Sequence, residues 1–378
     1  MSLVLKSNKV ATASLGNING IRGTQDWFLF ADFENQEYVK KVSGNRVELD
    51  LLDVLNCTSN HNLATQPITV DRYGNESIIT VPNQIRTMRE DGRFGVLVEA
   101  SRSNHFRNTA SPETQVITLA GASPIAVSCT GSGSVVVSGA SIETKVVTEK
   151  APQVFISSVT SGNIDITCTI SGTLSHVQVE RVGGFTNQST KITSTHAGQT
   201  GSTTRQPDFV KLKAGLLNEL LSGASGITVV MQSIPIGLVK EARASVPESK
   251  LTVRDSTGAS TFVGANRLPD QLSARLLSYD ASNISTLSVG GDRFEYTLDQ
   301  KAIVHAAVLT NKAAKVSING QGVLSGVTST SMNLAEIDFL GGSVTPNQQG
   351  SGSILAKLAI YKRALSDAEI RQISQSWM

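Results

Sequence analysis

The run Ser353-Ile-Leu-Ala-Lys-Leu-Ala-Ile-Tyr-Lys-Arg-Ala-Leu-Ser-Asp-Ala-Glu-Ile-Arg371 decides how this chain is closed. It reads as a strand running into a capped helix. Ser366 stands where its hydroxyl can cap the following backbone amides, Glu369 three residues on can reach back, and Leu365 and Ile370 occupy the hydrophobic-staple positions. Upstream, Ala314-Lys-Val-Ser-Ile-Asn-Gly-Gln-Gly-Val323 alternates apolar and polar residues around Asn319-Gly320. That dipeptide accepts positive φ at both centres of a type I′ hairpin turn.

Composition points the same way. Only 5% of the 378 residues are aromatic, while Gly, Ser, Thr and small aliphatic residues abound, a mixture suited to strands joined by tight turns. The length allows two or three domains, each able to bury its own core. Thirty-three basic residues face 31 acidic ones, a net charge of +2, so bulk charge gives no drive toward nucleic acid or anionic membrane. The first ten residues are too short in apolar character for a signal peptide, and no run approaches the ~18 apolar residues of a membrane span.

Walking the chain outward from its end, Asp208 is placed to cap a helix. Phe209, Leu212, Leu216 and Leu220 recur at helical spacing, and Gly223 is positioned to end it. Strands are expected at Ile227–Ile234, Lys250–Arg254, Thr261–Gly264, Thr286–Val289 and Phe294–Leu298. The tract Thr193–Pro207, nearly devoid of apolar residues, reads as a linker. Before it, short alternating segments recur at Gln115–Leu119, Ser134–Val137, Lys145–Val147, Gln153–Ile156, Asp165–Ile170 and Ser175–Glu180, a spacing typical of a sandwich or barrel. Pro67–Asn75 and Ser77–Val81 flank a Gly74-Asn75 turn signal and predict a hairpin. Earlier still, Asp26-Trp-Phe-Leu-Phe-Ala-Asp-Phe33 packs aromatics densely enough to demand burial, in a sandwich strand or against a partner.

The closing segment Leu358–Ile370 resembles the terminal strand and helix of the concanavalin A-like lectin/glucanase superfamily, laminin-G-like domains included, and Ile303–Leu309 resembles another of its strands. The resemblance covers residues 207–378 and implies a two-sheet jelly roll, an architecture that serves sugar binding, protein binding, hydrolysis and structure alike. A second resemblance lies in the middle. Val70-Asp-Arg-Tyr-Gly-Asn75, Gly95-Val-Leu-Val-Glu-Ala-Ser-Arg-Ser-Asn104 and Val177-Gln-Val-Glu-Arg-Val-Gly-Gly-Phe-Thr-Asn-Gln-Ser-Thr190 look like a module of tailed-bacteriophage virion proteins, especially tail and head fibres. Ser103 replaces that module's Thr, and Arg181-Val182 stands where it has one residue.

Groups able to do chemistry are sparse. His61, His105, His176, His196 and His305 fall in different segments with no second ligand at metal spacing. Cys57, Cys129 and Cys168 suit buried thiols in a reducing compartment, with a Cys129–Cys168 bridge as the alternative. Glu99 and Arg102 could pair, and Asn104 could satisfy turn amides. A catalytic pairing of Glu99 with Glu180 is the weaker reading. Superfamily glucanases carry a Glu-x-Asp-x-x-Glu strand, whose nearest counterpart here is Glu336-Ile-Asp338 without the second Glu, whereas retaining hydrolysis needs two carboxyls about 5 Å apart. A structural calcium ion on Asp338 or Asp292 is compatible with a laminin-G-like domain. Trp377 lies at helical spacing from Ile370 and Ile373, which suits core better than a sugar platform; Trp27 is the only other Trp.

The expectation is therefore an all-β chain of two β-sandwich (jelly-roll) domains: an N-terminal arm over 1–45, a phage-type module over 46–205 and a concanavalin A-like sandwich over 206–378 with a short C-terminal helix. Function is expected to be that of a virion structural protein, assembled in the bacterial cytoplasm. It would be a homo-oligomeric fibre- or spike-like appendage partnered by other virion proteins and host surface glycans. A head-decoration or collar protein is the alternative, and a glycan-processing enzyme the competitor from another class. No catalytic, cofactor-binding or metal residue is assigned, no cofactor is required, and neither nucleic acid nor a membrane is expected as a partner.

Overall fold

The structure is a computed structural model and describes residues 26–59, 67–109, 111–120, 124–159, 161–181, 192, 202–205, 207–236, 246–268, 271–295, 302–341 and 352–378. Strand dominates the described residues. Ten strands, numbered along the chain, form one large sheet: β1 (Trp27–Asp32), β2 (Glu37–Val42), β3 (Asn45–Glu48), β7 (Thr87–Glu90), β8 (Arg93–Val98), β19 (Gly226–Pro235), β24 (Ile303–Thr310), β25 (Ala313–Ile318), β26 (Val323–Val327) and β28 (Ser353–Tyr361). The seven strands of the sheet facing it are β4 (Leu55–Thr58), β18 (Phe209–Leu212), β20 (Val246–Asp255), β21 (Ser260–Leu268), β22 (Gln271–Tyr279), β23 (Ser285–Glu295) and β27 (Leu334–Phe339). Short helices α1 (Leu51–Val54), α2 (Ala214–Leu221) and α3 (Asp367–Ser376) accompany them.

The order in the first sheet is β26-β25-β24-β19-β28-β1-β2-β3, with β8 added on β28 and β7 on β8, and in the second β23-β22-β21-β20-β27-β18-β4. Inward residues of both sheets, among them Leu29, Val229, Val253, Leu276, Ile337 and Leu358, merge into a single core. Apolar residues also cover the outer face of the first sheet. Helix α3 lays Ile370 and Ile373, with Trp377 beyond it, over Phe30, Val230, Val304 and Tyr361. A hairpin of β5 (Ile68–Val70) and β6 (Glu76–Ile78) brings Ile68 and Val70 onto Leu97, Ile234 and Ile354. Strands buried on both faces need continuous apolar runs, which explains the Trp27–Phe33 cluster and the wholly buried β19.

A smaller sandwich is inserted between β8 and β18. Its sheets run β14-β11-β16-β9-β17 and β10-β15-β12-β13, built from β9 (Arg102–Asn104), β10 (Gln115–Ala120), β11 (Ile125–Gly131), β12 (Ser134–Gly139), β13 (Ile142–Val147), β14 (Gln153–Phe155), β15 (Asn163–Ser171), β16 (Leu174–Arg181) and β17 (Thr203–Arg205). Phe106, Val127, Val135, Phe155, Ile166 and Val179 lie in its core.

The all-β, sandwich-based fold class expected from sequence is the one observed. Several local expectations hold as well. Asn319 and Gly320 both take positive φ, and the Gln321 amide donates to the Ile318 carbonyl at 2.9 Å, as a type I′ turn requires. Ser366 accepts from the Glu369 amide at 3.3 Å while the Glu369 carboxylate accepts from the Ser366 amide at 2.7 Å, completing the capping box. Ile68–Val70 and Glu76–Ile78 pair as the expected hairpin.

Three expectations need correction. The described part of the supposed arm is no appendage, since β1 lies between β28 and β2 in the large sheet; residues 1–25 lie outside the described residues. The supposed middle module is divided: β3, β4, β7 and β8 belong to the large sandwich, and only Arg102–Arg205 forms the inserted one. Long-range pairing decides this, and local periodicity carries no trace of it. Lastly, Phe209–Leu212 is the strand β18, with Val210 and Leu212 inward, and helix α2 begins only at Ala214, after an N-cap at Lys213. Leu212, Leu216 and Leu220 share helical spacing although the first ends a strand. Gly223, at φ +74°, does follow the helix end. The tract read as a linker contains β17, while most of it, like Tyr296–Leu298, lies outside the described residues.

Candidate functional site

The chain passes between the two sandwiches twice, outward over Glu99–Arg102 and back over Arg205–Asp208, and the two passages run antiparallel with Arg102 opposite Arg205. This neck contains three guanidinium groups and three carboxylates, all nearly buried: Arg86, Arg102, Arg205, Glu99, Glu180 and Asp208. Arg86 Nη1 lies 2.9 Å from Asp208 Oδ2 and 3.0 Å from Glu99 Oε2. Arg205 Nη2 is 3.4 Å from Glu99 Oε2, and its Nη1 is 3.8 Å from Asp208 Oδ2. Arg102 Nη1 meets Glu180 Oε2 at 2.9 Å.

Backbone groups add to the arrangement. The Glu99 amide donates to Asp208 Oδ2 at 3.1 Å, the Asp208 amide donates to the Glu99 carbonyl at 3.0 Å, and Arg205 donates to the Ala100 carbonyl at 2.8 Å. Asn104 Oδ1 accepts from the Phe106 amide at 3.0 Å and the Val179 amide at 2.9 Å. The first is the local amide expected; the second belongs to β16 and ties the neck to that strand. Gly95 belongs to the same segment for steric reasons, because a Cβ there would run into the Leu355 carbonyl as β8 lies against β28.

The predicted Glu99–Arg102 pair is not what forms. Residues three apart in an extended chain point to opposite faces, so Glu99 turns to Arg86 and Arg205 while Arg102 turns to Glu180. Nor do Glu99 and Glu180 make a catalytic couple: each is engaged by arginine and buried to about 1% exposure. Burial raises the Glu180 carboxyl above its ordinary pKa, against the attraction of Arg102 and Arg205. A buried ion pair deprived of one partner is strongly destabilising, so the chemistry this network can perform is that of a clamp.

A second charged group lies on the outward face of the second sheet. Alternation on β27 puts Glu336 and Asp338 on one face, beside Lys211 from β18 and Arg254 from β20. Lys211 Nζ is 2.7 Å from Glu336 Oε2 and 4.0 Å from Asp338 Oδ2, and Arg254 Nη1 is 3.4 Å from Glu336 Oε1. Burial pushes the Asp338 carboxyl up to about 7, Lys211 opposing, and its Oδ1 has no hydrogen-bond partner. Burial also lowers Lys250 to about 8, against the attraction of Asp338. With these cations at hand, positive charge is already supplied where a calcium ion on Asp338 would sit. The Asp292 side chain lies outside the described residues, among which no cluster of three or more His, Cys, Asp or Glu is arranged for a metal.

The remaining candidates are dispersed. His305 faces the large core with Nδ1 3.4 Å from Ser249 Oγ and Nε2 without a partner, and burial lowers it to about 3. It is thus only half satisfied. His105 and His176 lie in the insert, both partly buried, while His61 and His196 are outside the described residues. Cys57, Cys129 and Cys168 are all buried and free, so the alternative Cys129–Cys168 bridge is not made. Trp377 meets Phe30 edge-on at 6.3 Å and belongs to the core, as does Trp27.

Sequence reasoning missed Arg86, Arg205 and Tyr73. Tyr73 is 80% exposed on a turn fixed by Asp71, whose Oδ1 accepts from the Tyr73 amide at 2.8 Å and the Asn75 amide at 2.9 Å. The Asp71-x-x-x-Asn75 spacing was the available signal for that turn. For Arg86, a lone charge between Ile85 and Met88, sequence holds no hint of its partners.

No protein-family model matches the chain, and no curated protein matches it. Solved structures do show similarity. A carbohydrate-binding module (CBM40) of the Ruminococcus gnavus IT-sialidase, bound to α2,3-sialyllactose, is 14% identical over 40% of this chain and 83% of that one, with a TM-score of 0.28. Botulinum neurotoxin type C, whose cell entry depends on two ganglioside molecules, is 11% identical over 46% of this chain and 40% of that one, with a TM-score of 0.30. A leech intramolecular trans-sialidase is 12% identical over 43% and 25%, with a TM-score of 0.26. At these scores the sandwich architecture rests on the sheets themselves.

Proposed function

We propose that this chain is a non-catalytic structural protein of a tailed-phage particle, a fibre- or spike-like appendage whose large sandwich contacts host surface glycans. One observation carries the reading. Among the residues that give the middle of the chain its likeness to virion proteins, Glu99, Arg102, Asn104 and Glu180 lie at the buried neck. That segment is thus committed to joining two sandwiches, which supports a two-lobed structural subunit over an enzyme. Exposed Tyr73, on its fixed turn, offers the kind of aromatic surface on which a pyranose face can rest.

Labelling of particles with antibody against the chain, or their reconstruction, tests the proposal. Density on the tail supports an appendage; density on capsid hexamers would replace it with head decoration. Release of reducing sugar from host polysaccharide, lost in Glu336→Gln, would instead make the chain an enzyme.

A further inference from the structure

We propose that the cleft between the edge strands β23 and β26 binds a sugar bearing a carboxylate, an inference that rests on the glycan contact proposed above. The two sheets of the large sandwich end here in a cavity of about 410 Å³, within the range of about 300–1,000 Å³ common for small-molecule sites. One wall is Gly290, Gly291 and Arg293; the other is Gln321, Gly322 and Leu324 at the hairpin.

Three features suit this ligand class. In the pairing of β22 with β23, Ser273 faces Arg293 and Arg275 faces Gly290, so Gly291 and Asp292 together oppose Ala274 in a bulge. Bulges re-aim the side chains beside them, and Arg293 follows directly. Its guanidinium is exposed and forms no hydrogen bond or ion pair with any described residue. A planar, permanently charged fork with no partner among the described residues matches a carboxylate in both charge and shape. Finally, a Cβ added at Gly290 or Gly322 would meet nothing within 4 Å, so bare backbone lines open space. Sugar hydroxyls can approach backbone groups there, while Leu324 offers an apolar surface to the ring.

Methyl β-glucuronide and methyl β-glucoside differ only in carboxylate against hydroxymethyl, and each can be titrated into the full chain while backbone amide resonances are followed. The expectation is that glucuronide shifts Gly290, Gly291 and Gly322, that glucoside binds at least about tenfold more weakly, and that Arg293→Gln removes the difference. Gly322→Leu should block both sugars at an unchanged melting temperature. Equal binding of the two sugars at the cleft would overturn acidic specificity while leaving glycan contact standing. Shifts confined to other residues, or none at all, would overturn the cleft assignment. The parent proposal fails separately, if the particle lacks the chain on its tail.

Discussion

The large sandwich and the inserted one solve the same problem at different scales. In the insert, every strand pairs within Arg102–Arg205 and a single core lies between two sheets, leaving Val116 and Val146 more than half exposed on the outside. The large sandwich pairs β1 with β28 across almost the whole chain and covers a second face with α3 and the β5–β6 hairpin. The insert therefore has local topology and a modest core, while the large sandwich has more burial and far greater loop-closure cost. Stability and ease of formation are thus divided between them, and the neck couples the two.

The strongest way to break this division is Arg86→Met. Glu99 and Asp208 would each lose their shortest ion pair, and stability measured by denaturant should fall by about 3–5 kcal/mol. An unchanged midpoint would show that the neck is not a clamp.

Acid sharpens the comparison next. His305 has an ordinary pKa of 6.5 in the unfolded chain and about 3 in the core. Below pH 6.5 the unfolded state takes up a proton that the folded state refuses until near pH 3. The stability due to neutral His305 is thus complete above 6.5 and is lost as the pH falls, by up to about 1.4 kcal/mol per pH unit. His105 and His176 of the insert shift in the same direction but are only partly buried, whereas Asp338 of the large sandwich, raised from 3.8 to about 7, gains stability over the same fall in pH. The test is therefore the difference between variants, and melts between about pH 7 and 4 should show His305→Leu losing less stability in acid than the unaltered chain.

Cysteine labelling compares the lobes at neutral pH. Burial raises Cys57 and Cys168 to about 12 and Cys129 to about 11, so labelling requires opening. Cys129 and Cys168 should react at least about tenfold faster than Cys57, reflecting a difference of ~1.4 kcal/mol in opening free energy. Equal rates would mean that the lobes open together. The smallest effect is expected from Ser366→Ala, which removes the α3 cap: about 1 kcal/mol in thermal melts, with host-cell adsorption intact.

Strand positions were legible because alternation is local: Gln115–Leu119 and Asp165–Ile170 both lie within observed strands. The cap at Ser366 and the turn at Asn319-Gly320 were equally readable, each being settled within four or five residues. Membership in a sheet was not. Nothing in Trp27–Phe33 says that its neighbour is Ser353–Tyr361, and the tight aromatic spacing reported burial without naming the partner. For the same reason the charges at the neck were visible singly, while the set of Arg86, Glu99, Arg205 and Asp208 exists only once three distant segments meet. The cleft lay hidden likewise, its glycines and Arg293 brought opposite the hairpin by two sheet edges.

The place of β28, hydrogen-bonded between β19 and β1, has a consequence for biosynthesis. While the chain is being made, the insert is complete early and can fold near the ribosome. The large sheet meanwhile must wait with the edges of β19 and β1 unfilled until Ser353–Tyr361 emerges. During that interval those edges are open to strands of other nascent chains, and a message broken before this segment would yield a folded insert beside a sandwich that cannot shut.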